Sequence, residues 1–311
     1  MKYLLCLETF PAQIVSISLQ TFEKEIIHEI TNGIPDGIWF DYATRRIYWT
    51  SMGELGIPQE LLVDSNGKLN WDKIREADIA GLFTKDGSVE SCKVDGSDHR
   101  ILINNGLITT PKQITGDSDK GRIFWCDREG MAIMSSNIDG SNFQTLLQYE
   151  QDNVDPVEKY CVGISLDPKK DFLYWTQKGP SKGGKGKILR KKLDEAQIQS
   201  SIELLIDSLP EPIDLDFGIK TGKLYWTDRG SEPDGNSLNC AIITSEGMIV
   251  NRQIIAKGFY EAIGLAVDEE EDVAYVSDLS GKIYKINLKN GSSDIIFNQG
   301  PTTGITLLNN L

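Results

Sequence analysis

Leu224-Tyr225-Trp226-Thr227-Asp228 is one of five variants of a single theme in this chain, the others being Ile47-Tyr48-Trp49-Thr50, Ile123-Phe124-Trp125-Cys126-Asp127, Leu173-Tyr174-Trp175-Thr176 and Ala274-Tyr275-Val276-Ser277-Asp278. Counted at the third motif residue, Trp49 and Trp125 are 76 residues apart, and steps of 50, 51 and 50 then lead to Trp175, Trp226 and Val276. A near-constant period of this length marks an array of like supersecondary units. The longer first interval carries an insertion of about 26 residues.

Around each motif the same order of elements recurs. An apolar strand lies about 12 residues upstream, followed by a polar turn, the motif strand and a loop. Two further strands follow, joined by a turn such as Asp95-Gly96-Ser97 or Asp139-Gly140-Ser141. Four strands in roughly 40 to 50 residues is the unit of a propeller blade. The termini complete the count: three strands near residues 3–7, 13–18 and 24–30 lack an upstream partner, and a strand near 303–308 lacks a downstream one. Joined, they make a sixth blade and remove the open sheet edges of a linear array. The expected fold is therefore all-β, a six-bladed β-propeller in one domain spanning 1–311, with an insertion loop at about 51–85.

Composition sets the broad class. Hydrophobic residues make up 40% and charged residues 25% of the 311, as in ordinary globular proteins and unlike disordered or membrane-spanning ones. A formal charge of −14 argues against a nucleic-acid partner, which needs a lysine- and arginine-rich surface. Cys6, Cys92, Cys126, Cys161 and Cys240 are odd in number and show no CxxC spacing, so free thiols are expected. The apolar run at 3–7 is shorter than the ~7 to 15 residues of a signal-peptide core, and a cytoplasmic protein without a membrane partner is expected.

The motifs resemble the YWTD repeats of low-density-lipoprotein-receptor-type propellers along essentially the whole chain. Thr109-Thr110-Pro111-Lys112-Gln113, Trp125-Cys126-Asp127-Arg128-Glu129-Gly130-Met131, Trp175-Thr176-Gln177-Lys178-Gly179-Pro180-Ser181 and Leu209-Pro210-Glu211-Pro212-Ile213-Asp214-Leu215 are similar to stand-alone YWTD-like proteins of fungi and bacteria. Some fungal members of that set resemble cofactor-independent hetero-Diels-Alderases, which join a tropolone quinone methide to a humulene terpene. The resemblance implies a small organic substrate and no cofactor.

Consecutive strand residues point to opposite sides, so the Tyr and Trp of each motif are expected to pack between blades as parts of the fold. The site is sought elsewhere. In a four-stranded blade the loops entering the inner strand and those between the second and third strands share one face, called here the upper face. The insertion at 51–85, the connection at 148–159 and the Gly- and Pro-rich loops at 178–187 and 230–239 all belong to it, and long loops on a rigid scaffold are where function concentrates.

The first residues of the inner strands ring the channel on that face. Read round, they are Pro35-Asp36, Lys112-Gln113, Tyr160-Cys161, Glu211-Pro212, Tyr260-Glu261 and Thr302-Thr303. Asp36, Lys112, Gln113, Glu211 and Glu261 are the expected catalytic group, acting by acid–base and electrostatic chemistry. Tyr160, Tyr260, Arg128, Lys178, Arg229 and Thr303, with Trp71 and Met52 as apolar wall, are the expected substrate contacts.

Two alternatives stay open. One is a lactonase-like hydrolase with a divalent ion on Asp36, Glu211 and Glu261, although Lys112 in the same ring leads us to expect no metal. The other is a non-catalytic propeller that binds a ligand or protein. His28 and His99, the only histidines, lie outside the ring, so no Ser–His or Cys–His pair is expected.

Overall fold

The computed structural model describes residues 1–54, 73, 84–104, 106–150, 152–193, 202–244, 246–298 and 300–309. Most of the insertion, with Trp71, lies outside them. The strands fall into six four-stranded antiparallel sheets. Blade one holds β1 (Lys2–Thr9), β2 (Ala12–Ser18) and β3 (Lys24–Glu29). Blade two runs β4 (Pro35–Asp41), β5 (Arg46–Ser51), β6 (Ser88–Lys93) and β7 (Arg100–Ile103). Blade three runs β8 (Pro111–Asp117), β9 (Arg122–Asp127), β10 (Ala132–Asn137) and β11 (Gln144–Gln148). Blade four runs β12 (Cys161–Asp167), β13 (Phe172–Gln177), β14 (Gly186–Lys192) and β15 (Glu203–Leu209). Blade five runs β16 (Pro212–Gly218), β17 (Lys223–Asp228), β18 (Ser237–Ile243) and β19 (Ile249–Lys257). Blade six runs β20 (Ala262–Asp268), β21 (Val273–Asp278), β22 (Lys282–Asn287) and β23 (Ser293–Asn298). The last strand, β24 (Thr302–Asn309), pairs with β1 as the inner strand of blade one, so the two ends of the chain close the ring.

Inner strands β24, β4, β8, β12, β16 and β20 each touch the next one round. The motif occupies the second strand of each blade, and its two aromatic residues divide between two cores. Trp175 packs with Phe124 of blade three, whereas Tyr174 packs with Trp226 of blade five. Tyr48 likewise meets Trp125 of the following blade, and Trp49 meets Leu5 and Leu7 of blade one. Each inter-blade core thus joins the second motif residue of one blade to the third of the next, burying aromatic area that dominates such cores.

The fourth motif residue is a clasp. Thr227 Oγ1 accepts the Asp214 N–H of its own inner strand at 3.1 Å and donates to Ile263 O of the next at 2.8 Å. Thr50 does the same between Gly37 N–H (2.9 Å) and Lys112 O (2.7 Å). Thr176 joins Gly163 N–H to Ile213 O, and Ser277 joins Gly264 N–H to Thr303 O. In blade three the weaker donor Cys126 Sγ reaches Gly163 O at 3.4 Å. At the seam, Thr303 Oγ1 donates to Pro35 O at 3.0 Å.

The fifth residue anchors the loop that enters the inner strand. Asp127 accepts Thr109 and Thr110 N–H, Asp228 accepts Glu211 N–H, and Asp278 accepts Tyr260 N–H. All five cysteines are buried and unbridged.

Candidate functional site

Cross-strand register aligns the inner strands residue by residue: Pro35 faces Ser51, Pro111 faces Asp127, Cys161 faces Gln177, Pro212 faces Asp228, Ala262 faces Asp278 and Thr302 faces Glu8. Against this frame the ring expected from the sequence separates into levels. Tyr160, Glu211 and Glu261 stand one residue before their strands, Asp36, Lys112 and Thr303 are second residues, and Gln113 is a third. The second residues of blades four to six are Val162, Ile213 and Ile263, which form a small apolar cluster with Leu279, apart from the inter-blade cores. The second-residue level is therefore polar through blades one to three and apolar through blades four to six. A bulge between the first and fourth residues recurs in the inner strands of all six blades.

The third level shows what the ring tolerates. Gly37, Gly163, Gly264 and Gly304 occupy it in four blades; a Cβ at Gly163 would stand 2.2 Å from Ile213 O, and one at Gly264 2.2 Å from Thr303 O. The exceptions are Gln113 and Asp214. Gln113 Nε2 lies 3.4 Å from both Asp36 O and Oδ1. Asp214 accepts Leu265 N–H at 3.0 Å and Leu215 N–H at 2.8 Å. Burial raises its carboxyl well above the usual range, and nearby Asp216 and Asp36 add to the effect.

A second ring comes from the residue after each motif. Its N–H donates to the carbonyl one residue before the inner strand: Met52 to Ile34, Arg128 to Thr110, Lys178 to Tyr160 and Arg229 to Glu211. Blades three, four and five thus place Arg128, Lys178 and Arg229 at one equivalent position, a cationic arc. Burial lowers the pKa of Lys178, and the charges of Arg229 and Arg128 act in the same direction against the opposing pull of Glu211.

Glu211, fully buried, is the hub of this arc. Its Oε1 accepts from Lys178 Nζ at 3.2 Å and from Arg229 Nε and Nη2 at 3.1 and 2.9 Å, while Oε2 accepts Lys182 N–H at 2.9 Å. Burial pushes its carboxyl up, but Arg229, Lys178 and these hydrogen bonds together outweigh burial and hold it below the ordinary value. A carboxylate so held positions cations better than it exchanges protons. Glu261 pairs with Lys182 Nζ at 3.1 Å and lies 3.7 Å from Arg229 Nε. Arg128 Nε meets Glu129 Oε1 at 2.5 Å.

Across the mouth, Lys112 Nζ donates to Asp36 Oδ2 at 2.7 Å and lies 2.9 Å from Met52 Sδ. Asp36 and Lys112 are both buried. Tyr160 is buried beside the arc, whereas Tyr260 is 54% exposed on the rim. Asp36 pairs with Lys112, whereas Glu211 and Glu261 share Arg229, and among the described residues no cluster of three acid, histidine or cysteine groups is placed to hold a metal.

Sequence reasoning missed Asp214, Asp216, Glu129 and Lys182. Asp214 and Asp216 line a 190 Å³ cavity that continues the channel below Gln113. Burial holds the Asp216 carboxyl up at about 6. Aligning the inner strands would have exposed both, because Asp214 replaces the glycine of four blades and no other blade carries an acid at the position of Asp216.

The fold and the motif clasps define a YWTD-type six-bladed β-propeller. The chain is 40% identical over 299 residues to a Pyricularia oryzae protein named low-density lipoprotein receptor-related protein 1, covering 92% of this chain and 88% of that one, and it belongs to that family. It is also 33% identical over 287 residues to a Cochliobolus heterostrophus protein named 3-hydroxyacyl-CoA dehydrogenase-like protein LAM1; the match covers 86% of this chain and about half (55%) of that relative. No protein-family model matches the sequence. Among solved structures, a chain of a nidogen/laminin complex superposes with a TM-score of 0.73 at 18% identity, over 99% of this chain and 98% of that one. A luciferin-regenerating enzyme does so at 0.59 and 14%, over 88% and 79%. At such identities these two show the fold alone.

Proposed function

We propose that the chain is a cofactor-independent small-molecule enzyme of natural-product biosynthesis, of the hetero-Diels-Alderase kind its sequence resembles, working at the upper mouth of the channel. The observation that supports this best is the convergence of Arg128, Lys178 and Arg229 at equivalent positions of three consecutive blades, facing the buried Asp36–Lys112 pair round the same mouth. Preorganised cations in a water-poor site stabilise developing oxyanions far better than water does.

In this reading the arc holds a tropolone-type oxygen. Asp36 takes the ring hydroxyl proton as the carbon–oxygen bond to a leaving hydroxyl breaks, and Lys112 delivers a proton to that hydroxyl, so water departs and a quinone methide remains. Transfer from Asp36 to Lys112 across their hydrogen bond restores both groups. The alkene then adds across the heterodiene, forming one carbon–carbon and one carbon–oxygen bond, with Val162, Ile213 and Ile263 offering an apolar wall. Orientation of two reactants in such a site contributes up to ~7 to 11 kcal/mol. Five buried, unbridged cysteines suit a reducing, cytoplasmic setting for this activity.

The test is chiral product analysis with a hydroxymethyl tropolone precursor and humulene. Acceleration and a single stereoisomer are expected, both lost in the neutral double variant Asp36→Asn/Lys112→Met. Background rate and racemic product with folded wild-type protein would refute the assignment. The second reading, a binding propeller, is favoured by the saturation of Glu211. It predicts tight ligand retention without turnover.

A further inference from the structure

Below Gln113 the inner strands carry a further polar level. Their fifth residues are Trp39, Thr115, Ser165, Asp216, Ala266 and Thr306, and all six line the 190 Å³ cavity of the lower channel. Gln113 and Asp214, the two third residues that are not glycine, line it from above. The third level is buried in every blade, whereas Trp39, Thr115, Asp216 and Thr306 are half-buried, so water reaches the cavity from the lower face.

Asp214 and Asp216, two residues apart on β16, share one side of that strand. Their carboxyls accept hydrogen bonds from backbone N–H groups alone, Asp214 from Leu215 and Leu265 and Asp216 from Val267 at 2.9 Å. Among the described residues neither has an ion-pair partner, and no lysine, arginine or histidine lines the cavity. Asp36 and Glu211 at the upper mouth, by contrast, lie against cations. Carboxylates enclosed without a counter-ion are costly, and burial accordingly pushes both carboxyls up. Gln113 is only 4% exposed. Its Nε2 is turned to Asp36, which leaves Oε1 on the cavity side without a partner among the described residues. Ser165, Thr115 and Thr306 add hydroxyl oxygens round the same space.

We propose that the lower channel holds one calcium ion, on the carboxylates of Asp214 and Asp216 and the amide oxygen of Gln113, with hydroxyls of the fifth-residue ring and water completing its shell. The available donors are all oxygens, the ligand set of a hard cation, and calcium accepts ~6 to 8 of them in irregular geometry. Two carboxylates suffice because amide, hydroxyl and water oxygens share the coordination. A cavity of 190 Å³ has room for the ion and several waters. The ion ties β16 to β8 across the channel, joining blades five and three, which share no seam.

The probe is calcium chloride, added to the full chain after chelator treatment and desalting and followed by calorimetry and thermal denaturation. One ion per chain is expected, saturating below about 1 mM and raising the melting midpoint by about 3 °C or more, with magnesium at least tenfold weaker. Asp216→Ser and Asp214→Gly should each lower calcium affinity tenfold or more. Both introduce residues that other blades carry at the same level, and Ser165 Oγ accepts Phe217 N–H at 3.0 Å much as Asp216 accepts Val267 N–H, so both variants should fold. Glu270→Gln/Glu271→Gln, in an acidic turn of the lower face, should bind calcium as wild type does. No substrate enters the measurement, so its outcome is independent of the chemistry proposed for the upper mouth. Absence of saturable binding, equal affinity for magnesium, affinity unchanged in both aspartate variants, or loss of binding in the Glu270/Glu271 variant would overturn the proposal.

Discussion

In blade five, two adjacent strands obey opposite rules. β17 repeats its neighbours: Tyr225 and Trp226 fill successive inter-blade cores, Thr227 clasps two inner strands and Asp228 anchors the incoming loop. β16 departs from them, placing Asp214 where four inner strands have glycine and Asp216 where the others carry Trp39, Thr115, Ser165, Ala266 and Thr306. The motif strand meets like surroundings in five blades, so one solution serves in each. The inner strand starts share a single mouth, where six like residues would give only a symmetric hole. Divergence at equivalent positions, as with Arg128, Lys178 and Arg229 against Thr9, Met52 and Leu279, is what gives the mouth a cationic arc over blades three to five instead of a symmetric ring.

The division can be broken by substitution on each side. Trp226→Ala should give the largest effect, about 3 to 5 kcal/mol of lost stability from an unfilled core, read as a fall in the urea midpoint. Glu211→Gln should destabilise by about 3 kcal/mol, because buried Lys178 loses its counter-charge and half-buried Arg229 keeps only Glu261, 3.7 Å away. Adding Lys178→Met should recover part of that loss, and strict additivity of the two changes would show that the arc is not a coupled unit.

Asp228 gives a pH test of the anchor. Burial holds its carboxyl at about 6, against ~3.9 for an unperturbed Asp. The folded state therefore binds this proton more tightly than the unfolded chain, and the group's contribution to stability declines as pH rises from about 4 through about 6. Asp228→Asn lacks that proton, so the variant should gain on wild type across this window by about 2 kcal/mol and by nothing further above it. Denaturation midpoints at pH 4, 5, 6 and 7 check the slope. Parallel curves would mean that the carboxyl is not perturbed.

Thr227→Val should cost about 1 to 2 kcal/mol, since it leaves the Asp214 N–H and the Ile263 carbonyl without the clasp. Cys126→Val, which removes the single long thiol contact at the same motif position, should cost under about 1 kcal/mol. Equal losses would show that the hydroxyl clasp adds nothing to packing at this position.

Blade number, strand order and closure by the termini were legible because period and alternation are local properties of the chain. The anchoring of loops by Asp127 and Asp228 was partly legible as a fifth motif residue. The level of each site residue was not, since the exact first residue of each inner strand is set by its pairing with the motif strand rather than by composition. Glu211 was chosen as an acid from its type and place, but its saturation by Lys178, Arg229 and the Lys182 N–H depends on three loops meeting. Lys182 and Glu129 could not be singled out, because nothing in a loop sequence says which way its charges turn.

The sequence by itself determined a closed ring of six blades and the face on which its long loops gather, because hydrophobic alternation and motif spacing dictate strand pairing wherever the chain runs. Only the tertiary structure decided which charges neutralise one another at the channel mouth and where the apolar cluster of Val162, Ile213 and Ile263 falls. Those depend on distances between residues remote in the chain, where an ångström separates an ion pair from a solvated charge.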